Sequence, residues 1–520
     1  MTYDIIIFTD MAVQYGHVKP LGAYRIASEL RSHGYSVKVV DFVGKIMLNK
    51  ELFIALLDKL IGSNTLFLGW SSTFFGDYLN FDRKDMSGEC KSVATFNPAR
   101  TSDDPFMYPI EEEKFAEWLR RIKEKFTNIK IVYGGAYAVA NADLVDEIDY
   151  VVCGLADTSV VDLANHLKNK TPLKYRPSMK HRWKIIDYDT VGASYDFKNS
   201  LTTFEQTDHV FHGDTLIIET SRGCMFKCKF CSYPLLGRKK TDPDYHRSKE
   251  CLIQELKHNW ENFGTNKYVI TDDTFNETTG KLESLLRVRD ALGIDLQFTS
   301  YLRIDIINRF PEQIKLLKDL GFKGAYFGIE SFNDRSSASI GKGIPSIKVK
   351  ETLYKLKDIM GNKFNTTLGL IVGLPYETPD TLAKGMEWVL DLESPVDSFT
   401  LFALKIRNSV FPSEFLKNYA NYGYQLDNSG SWYNKTWSLK DCIELSEHYN
   451  KIGFNSGKQK LTNQFLFYLS VYGYDMNELK DIPLKELDWN KFKQDFENYY
   501  VKYMTTLLDY ENISFNRSSI

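Results

Sequence analysis

Two series of short apolar runs that alternate with helical patterns limit the folds open to this sequence. In the first series, β-rich runs at residues 4–9, 36–42, 65–70, 129–133 and 150–153 alternate with helical patterns such as those at 21–33, 111–126 and 159–167. Such alternation predicts a doubly wound, Rossmann-like parallel sheet in an α/β protein. We assign this sheet to a domain of residues 1–170.

The second series predicts a barrel. Its strands are expected at 215–219, 268–271, 295–300, 324–329, 366–372 and 398–404, and six βα units fit a (βα)6 partial TIM barrel at 214–428. Between the domains, residues 171–213 lose periodicity and read as a linker. Residues 429–520 are predicted to be helical, with an apolar face, Trp489 to Leu507, that we expect to pack on the barrel.

Composition excludes several classes of protein. Lys and Arg number 65 against 68 Asp and Glu, so the chain lacks the cationic excess of nucleic-acid-binding proteins. No apolar run approaches the ~18 residues of a membrane span, and no basic segment precedes the first apolar run, so we expect neither membrane insertion nor export. Seven cysteines, an odd number, fit a disulfide framework poorly and favour metal or cluster ligation in a reducing cytoplasm.

Three cysteines follow the first barrel strand closely. Cys224, Cys228 and Cys231 have the spacing C-x3-C-x2-C. Three thiolates can hold three irons of a 4Fe-4S cubane and leave the fourth iron open to a substrate, whereas electron-transfer clusters use four cysteines. Tetrahedral zinc is the alternative, but it needs a fourth ligand, and neither His212 nor His246 stands at partner spacing.

This loop resembles that of the radical S-adenosylmethionine (SAM) superfamily, with Phe230 as the aromatic residue before the last cysteine. The resemblance covers about residues 214–408. It implies that the open iron binds SAM through the amino and carboxylate groups of SAM. It also implies that an external electron donor feeds the cluster, which cleaves SAM to a 5'-deoxyadenosyl radical, chemistry that belongs to the cofactor.

The same resemblance gives candidate SAM-binding residues at the carboxyl ends of the barrel strands, where active sites of such barrels lie. Asp272, Asp273 and Thr274 stand where the family has a Gly-Gly-Glu motif, although the residues differ. Arg303 and Glu330 follow the third and fourth strands, and Gly373 closes a segment that resembles the family's Gly-Ile-Gly-Pro adenine strand. For Arg303, an ordinary ion pair with Asp305 is the alternative.

The amino-terminal sheet lacks G-x-G-x-x-G after its first strand, which argues against a dinucleotide site. Small and hydroxyl residues at its carboxyl edge suit a bulky planar ligand such as a corrin; they are Ser71, Ser72, Thr73, Gly134, Gly135 and Gly154. The order of sheet and cysteine-loop barrel resembles the cobalamin-binding branch of the superfamily. The D-x-H-x-x-G motif is absent, with Tyr15 at its Asp position, so His17 either approaches the cobalt or is a loop or core histidine.

Together these resemblances imply a cobalamin-dependent radical SAM enzyme, a methyltransferase that acts on an unactivated carbon of a small molecule or peptide. A radical rearrangement or oxidation without methyl transfer is one alternative, and a non-catalytic iron-sulfur or corrinoid carrier is another. Residues 76–110 and the region from 429 are expected to cover the barrel mouth, with Trp432, Tyr433 and Trp437 available to line it. The sequence assigns no residue to the chemical step itself.

Overall fold

In the computed structural model, the described residues are 2–10, 12–13, 16–71, 112–135, 138, 146–178, 182–187, 196–231, 246–404, 406, 413–428, 431–516 and 520. Several sequence predictions concern residues outside these ranges. They are the cover at 76–110, the hydroxyls of Ser72 and Thr73, and Tyr15.

The described residues between 5 and 187 form the first α/β unit. Its strands are β1 (Ile5–Phe8), β2 (Ala12–Val13), β3 (Gly16–His17), β4 (Val37–Val40), β5 (Phe67–Ser71), β6 (Lys130–Gly134), β7 (Tyr150–Cys153), β8 (Arg176–Pro177) and β9 (Lys184–Asp187). Its helices are α1 (Leu21–Ser32), α2 (Val43–Leu48), α3 (Lys50–Leu60), α4 (Glu112–Lys125) and α5 (Asp157–Asn169). Among the described residues the sheet has the order β4-β1-β5-β6-β7-β9-β8, and β2 pairs with β3 in a separate hairpin. The predicted doubly wound sheet is confirmed.

Burial on both faces explains why these strands read as continuous apolar runs. Ile5 and Ile7 pack on the side that carries α1 and α5. Ile6 and Phe8 pack on the opposite side, with α2, α3 and α4. Helix α1 ends where Gly34 adopts a positive φ of 82°, a conformation in which a side chain would be strained.

The segment predicted as a linker carries two strands that the sequence did not reveal. β9 pairs in parallel with β7 and extends the sheet, and the short β8 pairs antiparallel to β9 at the edge. Further along the segment, Phe204 is buried and packs against Tyr24 of α1, with ring centroids 4.9 Å apart and the ring planes tilted by 41°. The strands are too short, and too interrupted by proline, for their periodicity to stand out.

The second unit is a six-stranded parallel sheet in sequential order. Its strands are β10 (Leu216–Ile218), β11 (Lys267–Ile270), β12 (Gln297–Leu302), β13 (Phe322–Glu330), β14 (Asn365–Val372) and β15 (Ser398–Ala403). Its helices are α6 (Lys249–Phe263), α7 (Thr279–Leu292), α8 (Ile304–Arg309), α9 (Gln313–Leu320), α10 (Asp334–Ser339), α11 (Ser346–Met360) and α12 (Pro379–Leu390). This arrangement confirms the predicted (βα)6 partial barrel. One apolar core runs from the α1 side of the first sheet into this barrel.

The carboxy-terminal region is mainly helical, as predicted. Its elements are α13 (Glu414–Asn418), β16 (Gln425–Leu426), β17 (Trp432–Tyr433), α14 (Leu439–Ser456), α15 (Asn463–Leu469), α16 (Met476–Leu479) and α17 (Trp489–Tyr510). Helix α14 packs on β15 and β14 at the open edge of the barrel. Helix α15 contacts β11, β12 and β13, and Asn365 at the start of β14 donates to the carbonyl of Leu461. This helix therefore lies at the amino ends of the strands.

The apolar face of α17 was expected on the barrel, and this expectation is wrong for most of the helix. Phe496, Tyr499 and Tyr503 pack in the core on the far side of the first sheet. The Tyr503 hydroxyl accepts a hydrogen bond from the amide of Asp41 at 2.9 Å. Of the predicted face, Phe492 joins the cluster at the base of the barrel. A helical period shows that a face is buried but not which surface covers it.

Two of the three aromatic side chains proposed for the barrel mouth are buried. Trp432 donates from Nε1 to the carbonyl of Leu404 at 2.8 Å, and Trp437 donates to that of Glu377 at 3.0 Å. Tyr433 is 40% exposed. The two tryptophans therefore pack near the carboxyl ends of β14 and β15, and of the three only Tyr433 keeps a substantially exposed ring.

Candidate cofactor site

The cysteine loop begins directly after β10 and is fixed at its base by one carboxylate. Oδ1 of Asp272 accepts from the amides of Thr220 at 2.7 Å and Ser221 at 3.1 Å. Oδ2 accepts from both hydroxyls and pairs with Nζ of Lys281 at 2.7 Å. Burial by itself would raise the pKa of Asp272, but Lys281 and these hydrogen bonds hold it below its usual value.

These contacts explain the position of Asp272 without the SAM contact that the sequence predicts. Its side chain is fully buried and both oxygens are engaged by the loop and by Lys281. A buried charge is stable only when it is paired and hydrogen-bonded, and Asp272 meets that condition without a ligand. Asp272 therefore positions the cysteine loop.

The three cysteines lie on this loop, and none of them forms a disulfide. Cys224 is buried, and its Sγ lies 3.4 Å from both the amide nitrogen of Phe226 and Oγ1 of Thr274. Burial raises the pKa of the Cys224 thiol, although these two hydrogen bonds lower it in part. Sγ of Cys228 accepts from Nη1 of Arg303 at 3.1 Å, and the amide of Cys231 donates to the carbonyl of Cys228.

The chemistry of this donor set fits an iron-sulfur cluster. Three thiols on one short loop match the ligands of a cubane with one open iron. The guanidinium of Arg303 lies where a thiolate-bound cluster would carry negative charge. Within the described residues, no group of three or more His, Cys, Asp or Glu side chains, these cysteines included, is placed to hold a single metal ion. In a cubane, each of the three thiolates would bind a different iron.

Three further residues of the predicted SAM site lie on the loop or beside it. The Thr274 hydroxyl donates to the carbonyl of Asp273 at 2.8 Å, next to Cys224. Burial, with the carboxylates of Asp272 and Glu219 nearby, raises the pKa of Asp273 to about 7. A ligand ammonium group would stabilise the charged form of such a carboxyl. Phe230 is half-buried against the barrel core.

Arg303 makes both the ordinary ion pair and a contact to the loop. Its Nη2 and Nε bond the Asp305 carboxylate at 2.8 and 3.0 Å. Its guanidinium carbon also lies 4.0 Å from the ring centroid of Phe226, between the first two cysteines. Asp305 thus orients Arg303 toward Cys228.

Glu330 ends β13 in a strained conformation. Its φ is 70°, and the pairing of β13 with β14 shifts register between Gly328 and Glu330. Burial raises the pKa of Glu330, while Lys342, whose Nζ lies 3.3 Å from Oε1, and Arg303 lower it in part. A side chain on Gly328 would place its Cβ 2.5 Å from Oε1 of Glu330. Sequence reasoning missed Lys342, which lies twelve positions beyond the strand end.

Gly373 packs against the carboxy-terminal region. Its φ is 100°, and a Cβ there would lie 2.6 Å from Trp432 and 2.8 Å from Sγ of Cys442. Its carbonyl accepts from the Tyr424 hydroxyl at 2.8 Å. These contacts explain why a residue with a side chain would not fit at this position.

Glu377 is a buried carboxyl group that sequence reasoning missed. The hydroxyl of Ser331 donates to its Oε1 at 2.6 Å, and its Oε2 has no hydrogen-bond partner among the described residues. Burial raises the pKa of Glu377 to about 8. The residue therefore carries a proton at neutral pH.

We expect the Glu377→Gln variant to gain stability relative to the parent as the pH rises. Between pH 4.5, the ordinary pKa, and about 8, folded Glu377 keeps a proton that the unfolded chain has released. Across that window, Glu377 lowers the free energy of unfolding of the parent by about 1.4 kcal/mol per pH unit. The neutral amide of the variant causes no such loss. Urea unfolding of both proteins at pH 5 and pH 8 measures the difference. An equal difference at the two pH values would contradict the assignment.

A cavity of about 390 Å³ lies at the carboxyl edge of the first sheet. Its walls are apolar residues of the sheet, α1 and α5, including Ile7, Phe67, Val132, Val152, Leu21, Ala23, Ile26 and Val160. Ser71, Gly134, Gly135 and Gly154 line its edge, so every described member of the predicted corrin set reaches one cavity. Glu219, Arg222 and Thr271 close it from the barrel side. The cavity thus adjoins the cysteine loop.

His17 does not line this cavity. Of the two predicted roles, a ligand near the cobalt or a loop or core histidine, its buried position favours the second. Its ring stacks on Phe42 at 4.0 Å and lies 5.6 Å from the ring of Tyr499 in α17. Its Nε2 lies 3.7 Å from Oδ2 of Asp41, and burial lowers the pKa of His17.

The barrel is similar to a known protein family. Residues 218–389 match the radical SAM superfamily. The matched segment begins at the end of β10 and includes the cysteine loop and β11 to β14. This part of the chain is therefore a radical SAM domain.

Among curated relatives, an uncharacterized methyltransferase from Pyrococcus horikoshii is 29% identical over 292 residues, which are 53% of this chain and 60% of that protein. The bacteriochlorophyllide d C-8(2)-methyltransferase of Chlorobaculum tepidum is 25% identical over 41% of this chain and 46% of its own length. The chain thus spans less than two thirds of these relatives.

Solved structures extend the likeness to the whole chain. The radical SAM methyltransferase TsrM from Kitasatospora setae, with cobalamin and a 4Fe-4S cluster bound, superposes with a TM-score of 0.63 at 13% identity, over 96% of this chain and all of that one. The cobalamin-dependent radical SAM enzyme OxsB, with aqua-cobalamin and SAM bound, gives 0.58 at 13% identity, over 98% of this chain and 80% of that one. The chain has the fold of these enzymes.

Proposed function

We propose that the chain is a cobalamin-dependent radical SAM methyltransferase that acts on an unactivated carbon of a small molecule or peptide. When bound, the cluster and cobalamin would supply reductive cleavage of SAM and methyl transfer, with electrons from an external donor. An oxygen-labile cluster suits a reducing compartment, the cytoplasm. None of the described helices has the length and apolar character to cross a membrane.

The observation that carries this proposal is the position of the cavity. Its edge is formed by Ser71, Gly134 and Gly154 of the sheet domain, and its far wall includes Glu219 and Arg222 next to the cysteine loop. A ligand at the sheet edge would therefore lie next to the loop that would hold the cluster. A methyl transfer that uses both cofactors requires the two cofactors to lie close to each other.

The residues of the chain have distinct roles in this proposal. Cys224, Cys228 and Cys231 hold the cluster, and Asp272 with Lys281 fixes their loop. SAM is bound by Asp273, Thr274, Arg303 and Glu330, which offer two carboxyls, a hydroxyl and a guanidinium to its polar groups. Phe230 shapes this site from the loop, and Gly373 shapes it from the turn that follows β14.

The wild-type protein tests the proposal after anaerobic reconstitution with iron, sulfide and hydroxocobalamin. We expect cobalamin absorbance to stay with the protein through gel filtration, and reduction in the presence of SAM to give both 5'-deoxyadenosine and S-adenosylhomocysteine. 5'-Deoxyadenosine without S-adenosylhomocysteine would support a rearrangement or oxidation without methyl transfer. A full cluster that cleaves no SAM would support a carrier.

A cavity-filling variant provides the matched test of the cobalamin site. Gly22 lies in the first turn of α1 on the cavity wall, and a Cβ there meets nothing within 4 Å. We expect Gly22→Phe to occupy cavity space and to weaken cobalamin binding at least about tenfold, or 1.4 kcal/mol. Equilibrium titration with hydroxocobalamin measures this change.

Gly280 provides the control. It also lies in the first turn of a helix, α7, with open space around its Cβ, but it does not line the cavity. Gly280→Phe should bind cobalamin as the wild type does. Equal affinities of the two variants for cobalamin would show that the cavity is not the cobalamin site.

A further inference from the structure

A chain of buried and partly buried charges joins the wall of the cavity to the cysteine loop. Asp157, the first residue of α5, accepts from Nη1 of Arg222 at 2.6 Å and from Nη2 at 3.2 Å. Arg25 of α1 donates from Nε to the same carboxylate at 3.0 Å. Arg222 in turn donates from Nε to Glu219 at 2.9 Å. All four side chains line the cavity.

Because this network is largely buried, its hydrogen bonds fix the orientation of its side chains relative to one another. The side chains of Arg222 and Asp157 are 8% and 3% exposed. The planar guanidinium of arginine binds a carboxylate through two parallel bonds, which fixes angle as well as distance. Arg222 also stacks over Phe197, its guanidinium carbon 4.6 Å from the ring centroid. The pair therefore permits one orientation of the loop relative to α5.

The two ends of the pair are close to the two cofactor sites in sequence. Arg222 stands two residues before Cys224, and Asp157 three residues after Gly154 at the cavity edge. The loop is thus anchored twice, to the barrel through Asp272 at Thr220 and Ser221, and to the sheet domain through Asp157 at Arg222. A shift of the sheet domain would be transmitted to the cysteines through the second anchor.

We infer that Asp157 and Arg222 are positioning residues that set the separation and orientation of the two cofactors. The inference rests on the proposed function, because it requires a cluster on the loop and cobalamin in the cavity. Neither residue takes part in bond making. Their role is to keep the methyl donor in the cavity and SAM on the loop within reach of one substrate.

The test measures the distance between the cofactors directly. Cobalt(II) cobalamin and the reduced cluster each carry an unpaired electron, so pulsed electron paramagnetic resonance gives their separation in the holoenzyme. We expect a narrow distance distribution in the wild type and a broader or shifted one in Asp157→Asn, with iron content unchanged. Methylated product should fall about 100-fold while SAM cleavage continues, since a 1 Å misplacement can cost that much.

Two further variants keep the inference open to refutation. Glu29→Gln removes another carboxylate bonded to Arg25, at 2.9 Å, but leaves the pair of Asp157 and Arg222 intact, so it should behave as the wild type. Arg222→Lys keeps the charge but loses the two-bond geometry. This variant serves as the test if the Asp157→Asn protein does not fold. A wild-type distance and product yield in Arg222→Lys would overturn the inference, as would loss of the cluster itself.

The proposed function fails separately from this inference. A wild-type protein that retains no cobalamin or cleaves no SAM refutes the proposed function before any variant is made. A wild type with both properties, beside a variant with unaltered distance and yield, refutes only the role of the pair.

Discussion

A variant with alanine at Cys224, Cys228 and Cys231 is expected to hold no cluster iron after anaerobic reconstitution and to produce no 5'-deoxyadenosine. The thiols occupy one loop between β10 and α6, and we expect no other group of the chain to replace them as cluster ligands. Because the open iron is the SAM site in this proposal, loss of the cluster removes cleavage completely. Iron and sulfide analysis with chromatography of the nucleoside products measures both effects.

The control removes the same number of thiols elsewhere. Cys153, Cys251 and Cys442 form no disulfide and lie in a strand and two helices outside the loop. Their triple alanine variant should reconstitute fully. Iron that remains bound in the loop variant would show that the ligands lie elsewhere.

Phe496→Ala is expected to destabilise the protein by about 3–5 kcal/mol, as deletion of a buried phenylalanine ring usually does. Phe496 is fully buried in the core beneath the first sheet, and its ring centroid lies 5.8 Å from that of Phe42. Chemical unfolding of the sheet domain, followed by tryptophan fluorescence, reports the change.

Val501 on the same helix is the control position. It is 41% exposed, so Val501→Ala should alter stability by no more than about 0.5 kcal/mol. A loss in Phe496→Ala no larger than in the control would mean that α17 does not dock on the sheet in solution.

Local sequence patterns were sufficient for the regular parts of the fold. The strands β1, β7 and β14 are found within two residues of their predicted bounds, because strand burial leaves an apolar run that can be read directly. The cysteine spacing likewise identified the loop. These signals depend only on neighbours in sequence.

Contacts between distant elements were beyond such reasoning. The destination of α17 depends on the shape of the first sheet, and the anchoring of Asp272 depends on Lys281 of a following helix. Glu377 and Lys342 lie in loops whose polar residues show no pattern until the barrel brings them to Ser331 and Glu330. The Arg222 to Asp157 pair also spans both domains.

The packing of α17 on the first sheet has a consequence for biosynthesis. The hydroxyl of Tyr3 donates to Glu511 at 2.7 Å, and these residues are 508 positions apart. At a synthesis rate of about 5–20 residues per second, the ribosome needs roughly half a minute to two minutes between them. During that interval the nascent sheet exposes the apolar surface around Phe42 that α17 later covers. This core is therefore completed only after α17 has been synthesised, and chaperones that shield the surface until then would raise the yield of native protein.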